Sequence, residues 1–443
     1  MSSPTATAPS RAGERRTGVA RIVTASLIGT TVEWYDFFLY GSAAALVFNT
    51  LFFPTHDPLV GTLIAFASYA VGFLARPLGG LVFGHFGDRL GRKRLLVLSL
   101  LIMGAATFAM GLLPTYAAIG VAAPILLTAL RLVQGFALGG EWGGAVLIVS
   151  EHGGERHRGF WASWPQAGAP GGNLLATGVL AVLALVQTDE TFLAWGWRVP
   201  FLLSGVLVVI GLWIRISVSE SPVFLHAQAE AAASGATRKL PIVQVFQQSW
   251  REVIGAIGLR FGENISYYIL TTFVLVYVTT HLGLERGLAL NAVLIASAVH
   301  FAAIPLWGAL SDRIGRRPVT LIGAIGMAAW AFALFTLTDT GSFWIICATV
   351  TTGLLFHGAM YGPQAAFVSE LFDTRVRYTG AAIGSQLASI VAGGVAPLIA
   401  VALLGRYDSA FPVALYLCGA AVVTAITAAV IRETRGRDLT VDL

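Results

Sequence analysis

Four ionisable residues in the first part of the chain lie inside long apolar stretches. Glu33 and Asp36 are three residues apart, which places them on one face of a helix, and Arg76 and Arg131 occupy two later stretches. An ionisable side chain inside a membrane costs about 2.5–3.5 kcal/mol on insertion scales, so it indicates a functional site by default. A carboxylate can load and release a proton as its surroundings alternate, whereas arginine stays charged and suits an anion. These residue types predict proton exchange beside an anion-binding site.

The proton-coupling residues are predicted to be three acids and one arginine. Asp36 or Glu33 would carry the proton, and Arg131 would couple protonation to closure, with Glu141 contributing from the same stretch as Arg131. Arg76 would bind a substrate carboxylate or pair with the acids. A second interpretation stays open, in which permanent ion pairs between these residues only pack helices together.

The second part of the chain supplies hydrogen-bonding groups for a hydrophilic metabolite. Arg260 and Asn264 share one helix face, and Glu263 and Tyr267 share another. Amide and phenol groups in these positions can bind a polar molecule. The predicted substrate-binding residues are Tyr35, Arg76, Gln134, Trp142, Gln166, Arg260, Glu263, Asn264, Tyr267, Tyr268 and Gln364.

Five further residues within apolar stretches are weaker candidates. Trp164, Tyr361 and Gln386 can line the path, although aromatic residues more often serve packing. His300 and His357 each stand alone in a stretch and are interpreted as structural groups rather than proton carriers.

The elements that hold these residues are membrane-spanning helices. Only 12% of the residues are charged, against about 25% in a soluble protein, and 56% are hydrophobic. A helix needs about 20 apolar residues to cross a bilayer. The sequence therefore predicts an all-α membrane protein with twelve transmembrane helices in two six-helix bundles. The predicted spans are 22–52, 60–85, 94–113, 117–150, 158–187, 195–216, 251–281, 288–310, 317–337, 342–370, 378–403 and 411–431.

The two bundles are predicted from a duplicated loop. The core Asp88-Arg89-Leu-Gly91-Arg92 returns as Asp312-Arg313-Ile-Gly315-Arg316, and Val149-Ser150-Glu151 returns as Val368-Ser369-Glu370. Acids and arginines that recur together predict charge networks, one in each half, that close one face of the protein. The predicted gating residues are Asp88, Arg89, Arg92, Glu151, Arg158, Asp312, Arg313, Arg316, Glu370 and Arg377.

Basic residues fall mainly in loops on one side of the predicted membrane. The positive-inside rule then predicts a multi-pass protein of the inner (plasma) membrane with both termini cytoplasmic. Because the basic residues lie in loops rather than on one patch, the net charge of +5 does not indicate nucleic acid. The predicted organisation is a tail at 1–20, a first bundle at 21–216, a linker at 217–250, a second bundle at 251–431 and a tail at 432–443.

Several segments together resemble one family of transporters. They are Glu33-Trp34-Tyr35-Asp36-Phe37-Phe38, Arg76-Pro77-Leu-Gly-Gly80, Arg131-Leu-Val-Gln134-Gly135 and Gly139-Gly140-Glu141-Trp142-Gly143-Gly144. With the duplicated loop, the chain is similar to the metabolite:proton symporter family of the major facilitator superfamily. The resemblance implies alternating access, in which two six-helix bundles rock around a central site. Transporters of shikimate, α-ketoglutarate, citrate and proline/betaine belong to that family.

The function predicted from these features is proton-coupled uptake of a small polar metabolite. An organic acid such as shikimate or a dicarboxylate is the favoured substrate; a betaine or other zwitterion symporter and a proton-coupled antiporter or exporter are the alternatives. No enzyme is expected, since the sequence lacks hydrolase and metalloprotease motifs and its two cysteines, Cys347 and Cys418, lie far apart. The predicted partners are the substrate, protons and the lipid bilayer. We expect a monomer with no cofactor or metal, driven by the proton gradient.

Overall fold

The computed structural model describes residues 11–55, 57–90, 92–139, 155–217, 245, 247, 249–373 and 377–437. Side chains are described for most of these residues, with 84–90 and 92–94 among the exceptions. Glu141, Trp142 and Glu151 therefore lie outside the described residues, as do the side chains of Asp88, Arg89 and Arg92. Most of the predicted linker and parts of both tails also lie outside them.

The described residues of the first half form six long helices, named α1 to α6. A π-helical turn, Ala44–Phe48, and a short segment, Asn49–Leu51, continue α1. A bent approach, Asp189–Gly196, precedes α6. The helices are α1 (Arg11–Ala43), α2 (Pro58–Leu90), α3 (Arg92–Leu112), α4 (Ala122–Leu138), α5 (Arg158–Val186) and α6 (Arg198–Ser217).

The second half repeats this series as α7 to α12. Two π-helical turns, Ile269–Phe273 and Tyr277–His281, extend α7, and a third, Ser389–Gly394, lies between α11 and its continuation Ala396–Tyr407. Gln364–Leu371 continues α10. The helices are α7 (Trp250–Tyr268), α8 (Arg286–Ile314), α9 (Arg316–Thr338), α10 (Phe343–Tyr361), α11 (Arg377–Ala388) and α12 (Phe411–Val430).

Apolar composition explains why most of these helices can cross a membrane. By length and composition, seven of the described helices qualify, and the bent pair ending in α6 adds an eighth. Val97–Leu112 and Ala122–Leu138 are shorter apolar helices. The two remaining crossings are α1 and α7, which carry Glu33 and Asp36 in α1 and Glu263 in α7. Each is the first helix of its half, so the polar chemistry occupies equivalent places.

Helix packing follows the same pattern in both halves. In the first half α1 packs on α5, α2 on α4, and α3 on α4 and α6. In the second half α7 packs on α11, α8 on α10, and α9 on α10 and α12. Between the halves, α5 packs on α8 and α2 packs on the π-helical turn beside α11. The predicted all-α fold of two six-helix bundles is confirmed, and the central helices of each half meet at the interface.

Glycines let the backbones of α2 and α4 come into direct contact. A methyl group added to Gly135 would overlap the carbonyl oxygen of Gly72, and one added to Gly139 would overlap that of Arg76. Gly79 makes the same kind of contact with the carbonyl oxygen of Phe136. Small residues let backbones touch directly, which fixes the two helices against each other.

Candidate functional site

A small cavity lies between the halves, between α1, α5, α7 and α10. Its volume, counted as the space open to the centre of a water molecule, is about 20 Å³. This is enough for water but not for a metabolite. Its walls combine rings with ionisable and amide groups. The lining residues are Trp34, Phe38, Ala169, Arg260, Glu263, Asn264, Tyr267, Tyr268, His357 and Tyr361.

Aromatic rings of α1 and α7 pack against each other beside this cavity. The ring centroids of Phe38 and Tyr267 are 5.2 Å apart, and those of Phe38 and Tyr268 are 6.0 Å apart. Phe37 also contacts Tyr268, at 6.5 Å. Because one ring of each pair belongs to each half, the halves must separate here for a metabolite to enter.

The Glu263 carboxylate is the best-bonded acid at the cavity. Its Oε2 accepts hydrogen bonds from the Gln364 amide and the Asn264 amide, each at 3.1 Å. Its Oε1 lies 3.3 Å from Nε2 of His357, whose Nδ1 lies 2.9 Å from Nε2 of His300. All five side chains are buried. Three nitrogen donors around one carboxylate stabilise its charge.

Two arginines reach the site from different halves. Arg260 lines the cavity, and its guanidinium lies 3.5 Å from the Ser385 hydroxyl. Arg76 is 5% exposed, and its guanidinium carbon lies 4.8 Å from the ring centroid of Phe37 and 5.7 Å from that of Trp34. Cations over aromatic faces keep part of their stabilisation after losing water. Positive charge is thus available to an anion beside the rings.

Asp36 precedes Phe37, one of the α1 rings beside the cavity, and is fully buried. Among the described residues, no group donates a hydrogen bond to either of its carboxylate oxygens. The nearby Thr107 hydroxyl is engaged elsewhere, since it donates to the Met103 carbonyl at 3.0 Å and accepts from Gln134 at 2.8 Å. A charged carboxylate without donors would cost several kcal/mol in such a place. Asp36 therefore has the surroundings of a neutral, protonated group.

Arg131 is joined to this region through Gln134. A guanidinium nitrogen of Arg131 donates to the Gln134 side-chain oxygen, and the Gln134 amide donates to the backbone oxygen of Asp36 at 3.2 Å. The Arg131 guanidinium also lies 4.3–4.5 Å from the ring centroids of Phe37, Tyr40 and Tyr69. In the described residues Arg131 has no ion pair with a carboxylate, and aromatic rings surround its charge instead.

The structure gathers some predicted substrate-binding residues and separates others. The five predicted residues of α7 are on or beside the cavity, and Gln364 is bonded to one of them. Tyr35 points elsewhere, and its hydroxyl donates to the Pro200 carbonyl at 2.7 Å. Gln134 belongs with Arg131 rather than with the cavity. Gln166 is buried one turn before Ala169, with no partner in the described residues for its amide nitrogen.

Three cavity residues, Trp34, Phe38 and Ala169, were not predicted. His357 and Tyr361, which were only weaker candidates, also line the cavity, although His357 had been interpreted as a structural group. Trp34 lies within the same segment as Glu33 and Asp36, so its helix position was the available signal. His357 had no such signal, because its bond to Glu263 joins residues 94 positions apart.

Charged groups tie the halves together at one end of the interface. This end, called the basic face, carries the predicted gating residues. Both Asp312 carboxylate oxygens accept backbone N–H groups at the start of α5, from Gly159 and Phe160, each at 2.8 Å. Arg158 donates to Glu370 at 2.9 Å. An acid at a helix N-terminus satisfies free N–H groups and the helix dipole, so Asp312 caps a helix of the other half.

The pairing on the basic face differs from the expectation of one network per half. Glu370 accepts from Arg158 of the first half and from Arg316 of its own, the latter at 3.2 Å. Arg313 is exposed, and its backbone oxygen accepts a hydrogen bond from the Arg435 guanidinium. Arg377 donates to the Ser369 carbonyl at 2.9 Å. The N-terminus of α5 attracts the second-half acids, so the network crosses the interface.

The opposite face has a weaker tie. Asp189 and Arg286 form an ion pair at 3.3 Å, with the Asp189 side chain 81% exposed. Solvent screens such a pair, and it contributes about 0–1 kcal/mol. The described contacts therefore hold the basic face shut more firmly than the opposite face.

Comparison with known proteins now identifies the family. A family model for sugar (and other) transporters matches residues 22–441. The chain belongs to this family. Members of this family are transporters, so the protein is a membrane transporter and not an enzyme.

Relatives and solved structures agree with this assignment. The chain is 43% identical over 420 residues to a shikimate transporter of Escherichia coli, covering 94% of this chain and 95% of that protein. It is 34% identical over 427 residues to a proline/betaine transporter of the same organism, covering 95% and 84%. The partially occluded inward-open structure of an Escherichia coli xylose transporter superposes with a TM-score of 0.74 at 20% identity, covering 95% and 99%. That likeness shows the fold.

Proposed function

We propose that this protein is a proton-coupled symporter that takes up a small organic acid by alternating access. The observation that carries the proposal is the fully buried Asp36 carboxylate, which has no hydrogen-bond donor among the described residues. The 43% identity to a shikimate transporter supports an organic acid as the substrate class. The protein would act as a monomer in the bacterial inner membrane, with both termini cytoplasmic and the bundle boundaries given above.

Proton coupling would depend on a change in the surroundings of Asp36. In the closed arrangement a proton on Asp36 removes the cost of burying its charge. When the halves separate toward one face, water reaches the carboxylate and the proton can leave. Arg131, which is linked to the Asp36 backbone through Gln134, would stabilise the charge that remains. Glu33, buried on the same helix face, and Glu141 would assist.

Substrate binding would use the two arginines beside the cavity. The carboxylate of an organic acid would pair with Arg76 or Arg260, and its hydroxyl groups would bond Asn264, Gln364 and neighbouring phenols. Arginine presents a planar set of donors that matches a carboxylate. The ring contacts between α1 and α7 must open to admit the molecule, and they close again around it.

A decisive experiment measures proton uptake into proteoliposomes when a substrate is added outside. Shikimate, α-ketoglutarate, citrate, aromatic acids and betaines would be tested in turn. External alkalinisation with one acid supports symport. Asp36→Asn should abolish this signal and gradient-driven accumulation while substrate counterflow continues, because exchange needs no net proton movement. Asp408→Asn, a change of an exposed acid, is the matched control and should behave as wild type. Accumulation that survives in Asp36→Asn would refute the proton assignment.

A betaine symporter is the second candidate, and the cavity itself favours it. Trp34, Tyr267, Tyr268 and Tyr361 surround the cavity with the Glu263 carboxylate among them. Aromatic rings with an acid suit a quaternary ammonium group. The same proteoliposomes distinguish the two candidates, since betaine-induced alkalinisation without any response to organic acids would select this one. An exchanger would show counterflow with every active compound and no proton movement.

A further inference from the structure

A line of three titratable side chains runs from the cavity into the second half. Glu263 of α7 contacts His357 of α10, and His357 contacts His300 of α8, at 3.3 Å and 2.9 Å. All three are buried, with exposures of 4%, 1% and 0%. We call this line the Glu–His–His relay. Histidine changes its charge near neutral pH. Two imidazoles in contact inside a membrane protein therefore indicate a role in proton binding.

In the duplicated sequence, two residues of the relay are equivalent to Arg76 and Glu33 of the first half. His300 lies twelve residues before Asp312, as Arg76 lies twelve residues before Asp88. Glu263 begins the segment Glu-Asn-Ile-Ser-Tyr-Tyr, as Glu33 begins Glu-Trp-Tyr-Asp-Phe-Phe. The second half therefore has a titratable histidine where the first half has a permanent cation.

The hydrogen bonds give the relay a direction. The Glu263 carboxylate only accepts, so Nε2 of His357 carries a hydrogen toward it. Nδ1 of His357 then accepts from Nε2 of His300. Nδ1 of His300 then carries no hydrogen and has a free lone pair, and this atom has no partner in the described residues. One nitrogen of His357 bonds Glu263 and the other bonds His300, so the three groups form a linear hydrogen-bonded chain. They do not surround a point where a metal could bind.

We propose that the Glu–His–His relay takes up one proton, which makes the cavity attractive to an anionic substrate. The proton adds to Nδ1 of His300, whose Nε2 hydrogen passes to Nδ1 of His357, leaving an imidazolium beside Glu263. The net charge of the relay changes from −1 to 0. This proposal rests on the proposed function, and it adds a second proton site that sets affinity rather than driving force.

The groups facing the relay fix the sign of this effect. Arg260 and Tyr267 face it from α7 and Tyr361 from α10, while Arg76 of α2 lies beside the cavity, over Trp34 and Phe37. From α5, Asn173 bonds Ser297 of α8 and brings no charge. Without the added proton, the Glu263 charge offsets one of the two arginines. With the proton, both arginine charges are available to the substrate anion.

Linkage between the two ligands gives a measurable prediction. If a proton raises the affinity for the anion, the anion raises the affinity for the proton by the same factor. Substrate affinity should then fall by up to about tenfold per pH unit above the range where the relay titrates. Binding of the active organic acid, with shikimate tested first, is measured on purified protein from about pH 5 to 8. No transport is needed for this measurement.

Two variants and one control separate the relay from general effects. His357→Asn and His300→Asn should each flatten the pH dependence of binding. His281→Asn, at a partly exposed histidine outside the relay, should keep the wild-type profile. A wild-type profile in both relay variants would overturn the proposal. Loss of coupling in Asp36→Asn with an unchanged binding profile would support it.

Nitrogen NMR on histidine-labelled protein in lipid tests the relay even if no substrate is found. The ¹⁵N shifts report whether each imidazole nitrogen carries a hydrogen. One proton shared by two imidazoles is expected in the wild type, and in His300→Asn the His357 signal should titrate alone at a different pH. Two imidazoles that titrate independently, or that never titrate, would refute the relay. This outcome is separate from the fate of the proposed symport.

Discussion

Asp312→Asn tests whether the basic face is held shut by an acid that caps a helix of the other half. Asp312 receives two N–H groups of α5 at 2.8 Å and the Arg316 guanidinium at 2.6 Å. Asparagine keeps one acceptor oxygen and turns an NH₂ group toward a backbone N–H. Losing one satisfied donor costs about 1–3 kcal/mol, and losing the negative charge at the helix end adds about 1 kcal/mol. The closed face should weaken by about 2–4 kcal/mol, or about 30- to 700-fold in the closing equilibrium.

A single cysteine on α5 reports this change. Ser163 is fully buried against Gly308 of α8, so a cysteine there is shielded while the face is closed. With both native cysteines, Cys347 and Cys418, replaced by alanine, Ser163→Cys carries the only thiol. In lipid nanodiscs, where both faces are accessible, maleimide labelling should be at least tenfold faster in the Asp312→Asn background.

Glu433→Gln is the matched control. Glu433 also caps a helix on the basic face, accepting the Arg316 and Arg317 N–H groups at 2.9 and 3.0 Å, but α9 belongs to its own half. It should lower thermal stability without faster labelling of the cysteine at position 163. Equal labelling rates in Asp312→Asn and its parent would refute the idea that Asp312 holds the halves together.

Two further predictions concern rigid parts of the first half. Gly135→Ala should lower the melting temperature and the yield of folded protein, because the added methyl overlaps the Gly72 carbonyl and overpacking costs about 1–3 kcal/mol. Gly419→Ala is the control, since a methyl group there meets open space, and unchanged melting of Gly135→Ala would contradict the backbone contact. Arg76→Lys should raise the KM for an organic acid at least tenfold while folding is retained, because lysine cannot place a planar cation over Phe37 and Trp34. Counterflow kinetics check this, and an unchanged KM would remove Arg76 from the substrate site.

Hydropathy and repetition were enough to predict the fold. The apolar stretches are spaced by loops that carry duplicated acids and arginines, and lipid requires each stretch to be helical. Among the described crossings, α1 and α7 are absent even from the shorter apolar helices, yet the sequence predicts both as spans that carry function. Such regular sequence patterns predict the helices regardless of how their side chains pack.

The site was only partly accessible to sequence reasoning, because helix spacing gives a face and not a neighbour. The i, i+3 rule grouped Glu33 with Asp36, yet it could not tell that Tyr35 would turn to Pro200 while Trp34 reached the cavity. The Arg158–Glu370 pair joins positions 212 apart and crosses the halves. Such contacts depend on how two bundles dock, which no local pattern contains.

The direct backbone contact between α2 and α4 limits how this protein can change in evolution. Because Gly135 and Gly139 touch the carbonyls of Gly72 and Arg76, almost no substitution there avoids a clash. The contact between α2 and α4 therefore tolerates little change. New substrate preferences would arise instead through side chains that line the cavity, on α1, α7 and α10.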